Sequence, residues 1–339
     1  MVKPMTVQPT RQTSFGRTTA LGAWHGVRAF LKLMLIVAPV YTVVTILKYT
    51  PVIKVFAQFM APLMKHFGLP GEAALALILG NVVNLYAGLG AVTALKITTA
   101  QLTVLSLMLL LSHSQILETA VFFQIRAKWW LLWFIRLVLS FATGVGLSRL
   151  IVKTGATGAG DAARLAQMAQ MRYVGIGPAL GNWARGLLVD TGLKMFLVLV
   201  GIFIILELGR RYGLMEKTLK AIGAATRFIG LKPESGMPWL AGNVFGIVFG
   251  AGVVIETARE GQLDSKQITL VATFLALCHG LFEDTAIFLV LGASIFWILV
   301  PRIVLAVVVT WVLSKVLSDG GGGGLSVASA VRVEQKDGA

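Results

Sequence analysis

GLPGEAALALILGNVVNLYAGLGAV at residues 68–92 and GLKPESGMPWLAGNVFGIVFGAGVV at 230–254 read as two versions of one segment. At an offset of 162 residues (230 against 68), Gly68, Leu69, Glu72, Gly80, Asn81, Val82, Gly88, Gly90 and Val92 recur as Gly230, Leu231, Glu234, Gly242, Asn243, Val244, Gly250, Gly252 and Val254. Past a four-residue insertion the offset becomes 166, and Gln101, His113, Glu118, Thr119, Ala120, Phe122 and Arg136 meet Gln267, His279, Asp284, Thr285, Ala286, Phe288 and Arg302. Apolar residues match by chance in a hydrophobic chain, but Glu, Asn, Gln, His, an acid and Arg in one order do not. The chain therefore reads as two homologous halves, 28–151 and 185–317. They are joined by a linker at 152–184 and flanked by a basic tail at 1–27 and a glycine-rich, disordered tail at 318–339.

What surrounds the repeat sets the solvent. Of 339 residues, 56% are hydrophobic and 13% charged, where a soluble domain carries roughly 25% charged residues. Apolar runs at 29–48, 73–95, 100–123, 128–151, 191–209, 237–257, 268–292 and 295–317 are each near the roughly 20 residues that cross a hydrocarbon layer as a helix. The expected fold is an all-α polytopic membrane protein. His113, Ser114 and Gln115 interrupt the 100–123 run and His279 and Gly280 the 268–292 run, so these two are candidates for broken or re-entrant helices. Residues 51–66 and 213–229 carry spaced apolar residues with Lys54, Lys65, Lys217, Lys220 and Arg227, the pattern of interfacial helices. A short helix from 161 to about 171 fits the linker.

The formal charge of +15 belongs to loops facing an anionic leaflet rather than to a nucleic-acid partner. The basic stretch at 210–232 and a cytoplasmic N-terminus favour an inverted arrangement of the halves in a cell inner membrane. Cys278 is the single cysteine, which excludes an intramolecular disulfide and any multi-cysteine metal site. There is no Walker A motif, dinucleotide fingerprint, zincin signature or nucleophile elbow, so the chain reads as a non-enzyme that needs no cofactor.

Polar residues inside the apolar runs are the candidate site, because exposing them to lipid costs kilocalories per mole. Gly80 and Gly242 let another helix approach. Asn81 and Asn243 either bind substrate or stitch the halves together. Glu72 and Glu234 stand near helix starts, where capping is the leading reading and substrate contact the other. SHSQILETA at 112–120 and CHGLFEDTA at 278–286 form the second matched cluster. On an unbroken helix His279 and Glu283 share a face, fit to pair, relay a proton or offer two ligands to a divalent cation. The first copy has Leu117 where the second has Glu283. His113, Glu118, Thr119, His279, Glu283, Asp284 and Thr285 form a composite gate or proton relay if the halves face each other, and the pattern leaves a metal unassigned. Arg136 and Arg302 pair with a matched carboxylate or anionic substrate, or else snorkel to headgroups near Trp129, Trp130 and Trp133.

The Gly-Asn pairs and the acid-Thr pairs, Glu118-Thr119 and Asp284-Thr285, resemble the nucleoside-recognition, or Gate, membrane-domain family over about 30–150 and 190–316. That family is similar to the membrane part of ferrous-iron transport protein B, to spore maturation membrane proteins and to parts of concentrative nucleoside transporters. The resemblance implies a permease fold without specifying cargo. The iron-transport relatives carry a nucleotide-switch domain and characteristic membrane cysteines, which this chain lacks. The expected function is transport of a small polar solute or ion through a site between the repeats. The alternative is a non-transporting scaffold or accessory subunit of a membrane complex. The partners expected are the lipid bilayer, such a solute or ion, and a second copy or accessory membrane subunit.

Overall fold

The computed structural model describes residues 15–47, 51–152, 176–213, 226–259 and 262–317. The short helix expected at 161–171, the glycine-rich tail and most of the second interfacial segment lie outside these residues.

The chain is an all-helical polytopic membrane protein with, among the described residues, six helices long and apolar enough to cross a bilayer. Helix α1 (Phe15–Leu47) takes in the last part of the segment read as a basic tail, and α2 (Pro51–Lys65) follows with an amphipathic surface. Two ten-residue helices come next, α3 (Ala73–Val82) and α4 (Leu85–Ala94), then α5 (Thr99–Ser112), α6 (Gln115–Gln124) and α7 (Trp129–Leu147). Beyond the linker, α8 (Ile176–Ala184) runs through a wide π-helical stretch, Arg185–Leu193, into α9 (Lys194–Arg211). The remainder is α10 (Gly236–Phe245), α11 (Ile247–Arg259), α12 (Ser265–Cys278), α13 (Glu283–Val290) and α14 (Ile295–Val316).

The runs at 73–95 and 237–257, read as full crossings, are hairpins instead. Val83 and Asn84 interrupt the first, with Asn84 extended and its side chain accepting the Ala87 N–H at 2.9 Å to start α4. Gly246, at φ +86°, interrupts the second. The arms of each hairpin pack back on one another. A Cβ on Gly88 would stand 2.8 Å from the Gly80 Cα, and one on Gly250 would stand 2.6 Å from the Gly242 Cα. Ten residues rise about 15 Å, half the hydrocarbon thickness. Each hairpin therefore enters and returns, and the conserved spacing of its glycines is the contact that folds it.

The interrupted runs at 100–123 and 268–292 are through-going helices with a break. Helix α7 runs antiparallel to both pieces of its neighbour, with the Phe123 and Trp129 rings 6.4 Å apart beyond the break. Arg136 reaches Leu111, His113 and Glu118 at the break, Ser140 donates to the Met108 carbonyl at 2.9 Å, and Ser148 reaches the His66 carbonyl at 3.2 Å. Helix α14 stands in the same relation to the α12–α13 break, where Arg302 donates to the Leu277 and His279 carbonyls.

Burial separates centre from periphery. Helices α5 and α12 are buried along nearly their whole length, whereas α7 and α14 bury one stripe. Leu132, Arg136, Ser140, Gly144 and Leu147 form the stripe on α7, and Ile298, Arg302, Ala306, Thr310 and Leu313, each 166 residues later, form it on α14. A step of about four residues is one helical face, and the remaining faces carry exposed Trp, Phe, Val and Ile toward lipid. On one side of the molecule α1 and α9 pack antiparallel. A Cβ on Gly22 would stand 2.7 Å from the Ile204 Cα and one on Gly26 2.6 Å from the Val200 Cα, while Phe30 meets Phe196 edge-on at 5.2 Å.

Candidate functional site

The two helix breaks meet at the centre of the molecule. His113 is the last residue attached to α5 and His279 the last attached to α12, and their ring centroids are 5.0 Å apart. After each histidine the backbone turns left-handed, at Ser114 (φ 52°) and at Gly280 (φ +56°). The Ser114 N–H donates to the Gly80 carbonyl at 2.8 Å, which fastens the first break to the first hairpin.

A broken helix leaves carbonyls at the end of one piece and N–H groups at the start of the next without partners, with opposite partial charges at the two ends. Both breaks answer this alike. Arg136, fully buried, donates from Nε to the Leu111 carbonyl at 3.2 Å and from Nη2 to the His113 carbonyl at 2.6 Å. Arg302, equally buried, donates to the Leu277 carbonyl at 3.5 Å and the His279 carbonyl at 2.8 Å. Acids stand in the first turn of the following pieces: Glu118 in α6, Glu283 and Asp284 in α13. Neither arginine snorkels to the membrane surface.

Glu118 is the hub. Its Oε2 lies 3.1 Å from Arg136 Nη2, and its Oε1 lies 3.3 Å from His113 Nε2 and 3.5 Å from His279 Nε2. His113, Glu118 and His279 from the two matched segments come together here, though not through the His279–Glu283 pair that an unbroken helix would give. The break at Gly280 removes that geometry, and Glu283 accepts instead from the Tyr86 hydroxyl at 3.2 Å, just past the tip of the first hairpin. Asp284, 7% exposed, offers a carboxylate oxygen that lies, with one nitrogen of each histidine, in a group whose atoms are all within 4.8 Å of one another. Thr285 accepts from Arg302 Nη1 at 3.2 Å, while the Thr119 hydroxyl is buried with no partner among the described residues.

The remaining expected residues are placed otherwise. Asn81 and Asn243 do not stitch the halves: each Nδ2 donates to the carbonyl four residues back in its own helix, Leu77 or Trp239, at 2.8 Å. The Asn81 Oδ1 is left buried and without a partner among the described residues. Glu72 and Glu234 make no capping bond, because the chain is already helical at Glu72 and a short 3₁₀ turn, Pro233–Ser235, takes in Glu234. The matched glutamines are structural: Gln101 Nε2 donates to the Gly68 carbonyl and Gln267 Nε2 to the Gly230 carbonyl, both at 3.0 Å. Residue matching missed Tyr86 and Gln115. Both amide atoms of Gln115 are buried with no partner among the described residues. Gln115 aligns with Leu281, so a search restricted to matched polar residues passes over it, although it stands inside the SHSQILETA segment.

Two hairpins, two broken helices and a buried cluster of ionisable side chains where the breaks meet define a polytopic helical membrane protein with a polar centre. Residues 30–129, from within α1 to the first residue of α7, match the family described as Gate: Nucleoside recognition. The chain is also 27% identical over 286 residues to the uncharacterized membrane protein YvoD of Bacillus subtilis (strain 168), covering 82% of this chain and 88% of that protein. No solved structure matches it.

Proposed function

We propose that the chain transports a small polar solute or ion by alternating exposure of a site between two inverted repeats, 28–151 and 185–317. The carrying observation is the convergence of both helix breaks on Glu118, with Tyr86 and Gly80 of the first hairpin joined to them. Backbone that leaves helical geometry at membrane depth is stable only where protein buries it or a polar pathway runs beside it. Inversion is supported by direction and by count. Helices α1 and α9, first in each half, run antiparallel. Each half contributes three of the six long helices, an odd number, since the hairpins return to their side of entry. Asn81, Asn243, Gly80, Gly242, Glu72 and Glu234, in and just before the two hairpins, contribute to the pathway and substrate contacts. His113, Glu118, Thr119, His279, Glu283, Asp284 and Thr285 line the centre, and Arg136 and Arg302 hold the broken ends. An inner membrane with the N-terminus on the cytoplasmic side is the setting this reading assigns.

The test is uptake into proteoliposomes across a panel of nucleosides, divalent cations and small anions. At least one class should be taken up by the wild type, with flux reduced by Asn81→Ala and Asn243→Ala and with the pH profile of flux altered by His113→Ala and His279→Ala. No flux for any class by folded protein sinks transport and leaves the scaffold role.

A further inference from the structure

The two central histidines present a contradiction that a cation resolves. The Nδ1 of His113 lies 2.9 Å from the Leu109 carbonyl, and the Nδ1 of His279 lies 2.7 Å from the Leu275 carbonyl. A carbonyl only accepts, so each Nδ1 carries a hydrogen and each neutral ring is left with its lone pair on Nε2. Both Nε2 atoms face the same carboxylate oxygen, Glu118 Oε1, at 3.3 and 3.5 Å. Three acceptors directed at one point repel one another unless something positive stands between them.

A single proton bridges only two of the three. A metal ion bridges all of them, and the two Nε2–Oε1 separations lie close to the tetrahedral edge of about 3.3–3.4 Å that metal–ligand bonds of 2.0–2.1 Å give, while an Asp284 carboxylate oxygen lies within 4.8 Å of a nitrogen of each histidine. We propose that His113 Nε2, His279 Nε2 and Glu118 Oε1, with the Asp284 carboxylate as fourth ligand, bind one late first-row divalent cation of the Zn2+ class. Two imidazoles with carboxylates suit such ions and not Mg2+ or Ca2+, which take oxygen ligands. The carbonyls of Leu109 and Leu275 fix the tautomer and orientation of each imidazole, the usual office of groups just outside a metal's ligands. Arg136 engages the other oxygen of Glu118 and leaves Oε1 free.

The inference rests on the transport reading for the ion's role as cargo or coupling ion, but the site is testable without flux. Purified full-length protein in detergent is loaded with Zn2+ or Co2+ in the presence of excess Mg2+. The expected result is one Zn2+ per chain, visible d–d bands of tetrahedral Co2+, and a Zn2+ X-ray absorption spectrum containing two imidazoles. His113→Gln and His279→Gln should each weaken binding at least tenfold, since even groups outside the ligand shell are worth roughly 10–100-fold. Glu118→Gln should weaken it as well. Octahedral Co2+ alone, an absorption spectrum without paired imidazoles, or undiminished binding by a folded double-histidine variant overturns the site and leaves an adventitious ion only. If the variants do not fold, the wild-type spectra decide. A bound metal with these signatures but no flux of any solute keeps the site and removes the transport reading. Solute flux without them removes the site alone.

Discussion

The two helix breaks are built to one plan and finished differently. At the first, Arg136 closes a short ion pair with Glu118, and the left-handed Ser114 is tied down by its N–H to Gly80. At the second, Arg302 spends its free nitrogen on the Thr285 hydroxyl, the left-handed residue is a glycine, and Asp284 has no arginine within ion-pair distance among the described residues. The hairpins differ in the same sense, the first turning on the Asn84 cap and the second on Gly246. Matching residues hold each break together, whereas the differences leave the second break with an acid free of any arginine.

Four experiments test that contrast. The largest effect is expected at the arginines. Arg136→Met strands the Glu118 charge as well as two carbonyls, and removing one partner of a buried pair costs about 3–5 kcal/mol. Arg302→Met strands only neutral groups, at about 1–3 kcal/mol per group left without a partner. Thermal unfolding of the two variants in one detergent should therefore place Arg136→Met below Arg302→Met, since each strands two carbonyls and the third group is a carboxylate in one and a neutral hydroxyl in the other; equal losses would erase the distinction between the breaks. Next come the last matched glycines. A Cβ on Gly90 would stand 3.0 Å from the Val37 carbonyl and the Val40 Cβ, while one on Gly252 meets nothing within 4 Å. Gly90→Ala should cost about 1–3 kcal/mol as overpacking between α4 and α1, and Gly252→Ala should be close to neutral.

A smaller effect separates the left-handed residues. Ser114→Gly should raise stability by about 1 kcal/mol by relieving the left-handed strain of a side-chain-bearing residue. Gly280→Ser should lower it by more, because the new Cβ also meets the Asp284 carboxylate. Thermal shifts of one sign for both would show that the two turns are not equivalent. The smallest effect lies at the surface. Thr98 and Asp264 occupy equivalent helix starts, and Asp264 alone is ionisable. Partial burial raises its pKa, but the bonds from Lys232 and from the N–H groups of Gln267 and Lys266 outweigh it and hold it below the ordinary carboxylate range. The contribution is thus fully present above about pH 4 and is lost as pH falls through the lowered value. Because both side chains of the pair are about half exposed, Asp264→Asn should remove only a few tenths of a kcal/mol. Melting curves of the two proteins should converge in acid.

Membrane embedding was legible from apolar run lengths, and the matched polar order pointed to the central residues. Depth was not. The apolar run at 73–95 is equally a crossing or a hairpin until the Gly80–Gly88 approach is known, and that approach depends on tertiary contact rather than on hydropathy. The polar interruption at His113 looked like a point of return, but Arg136 supplies the missing hydrogen bonds from another helix and lets α5–α6 continue. Capping at Glu72 failed for a local reason, since the helical turn begins before it. Gln115 and Tyr86 stand outside the matched polar set because each belongs to one half only, facing Leu281 and Val248 in the alignment.

The hairpin depth carries an electrical consequence. With arms of about 15 Å, the tip at Asn84 and Tyr86 and the histidine pair beside it stand near the middle of the hydrocarbon layer. A cation arriving there from the positive side falls through about half the transmembrane voltage, and one from the negative side climbs as much, roughly 1 kcal/mol per unit charge for each 100 mV. Membrane potential therefore biases occupancy of the centre even before any helix moves.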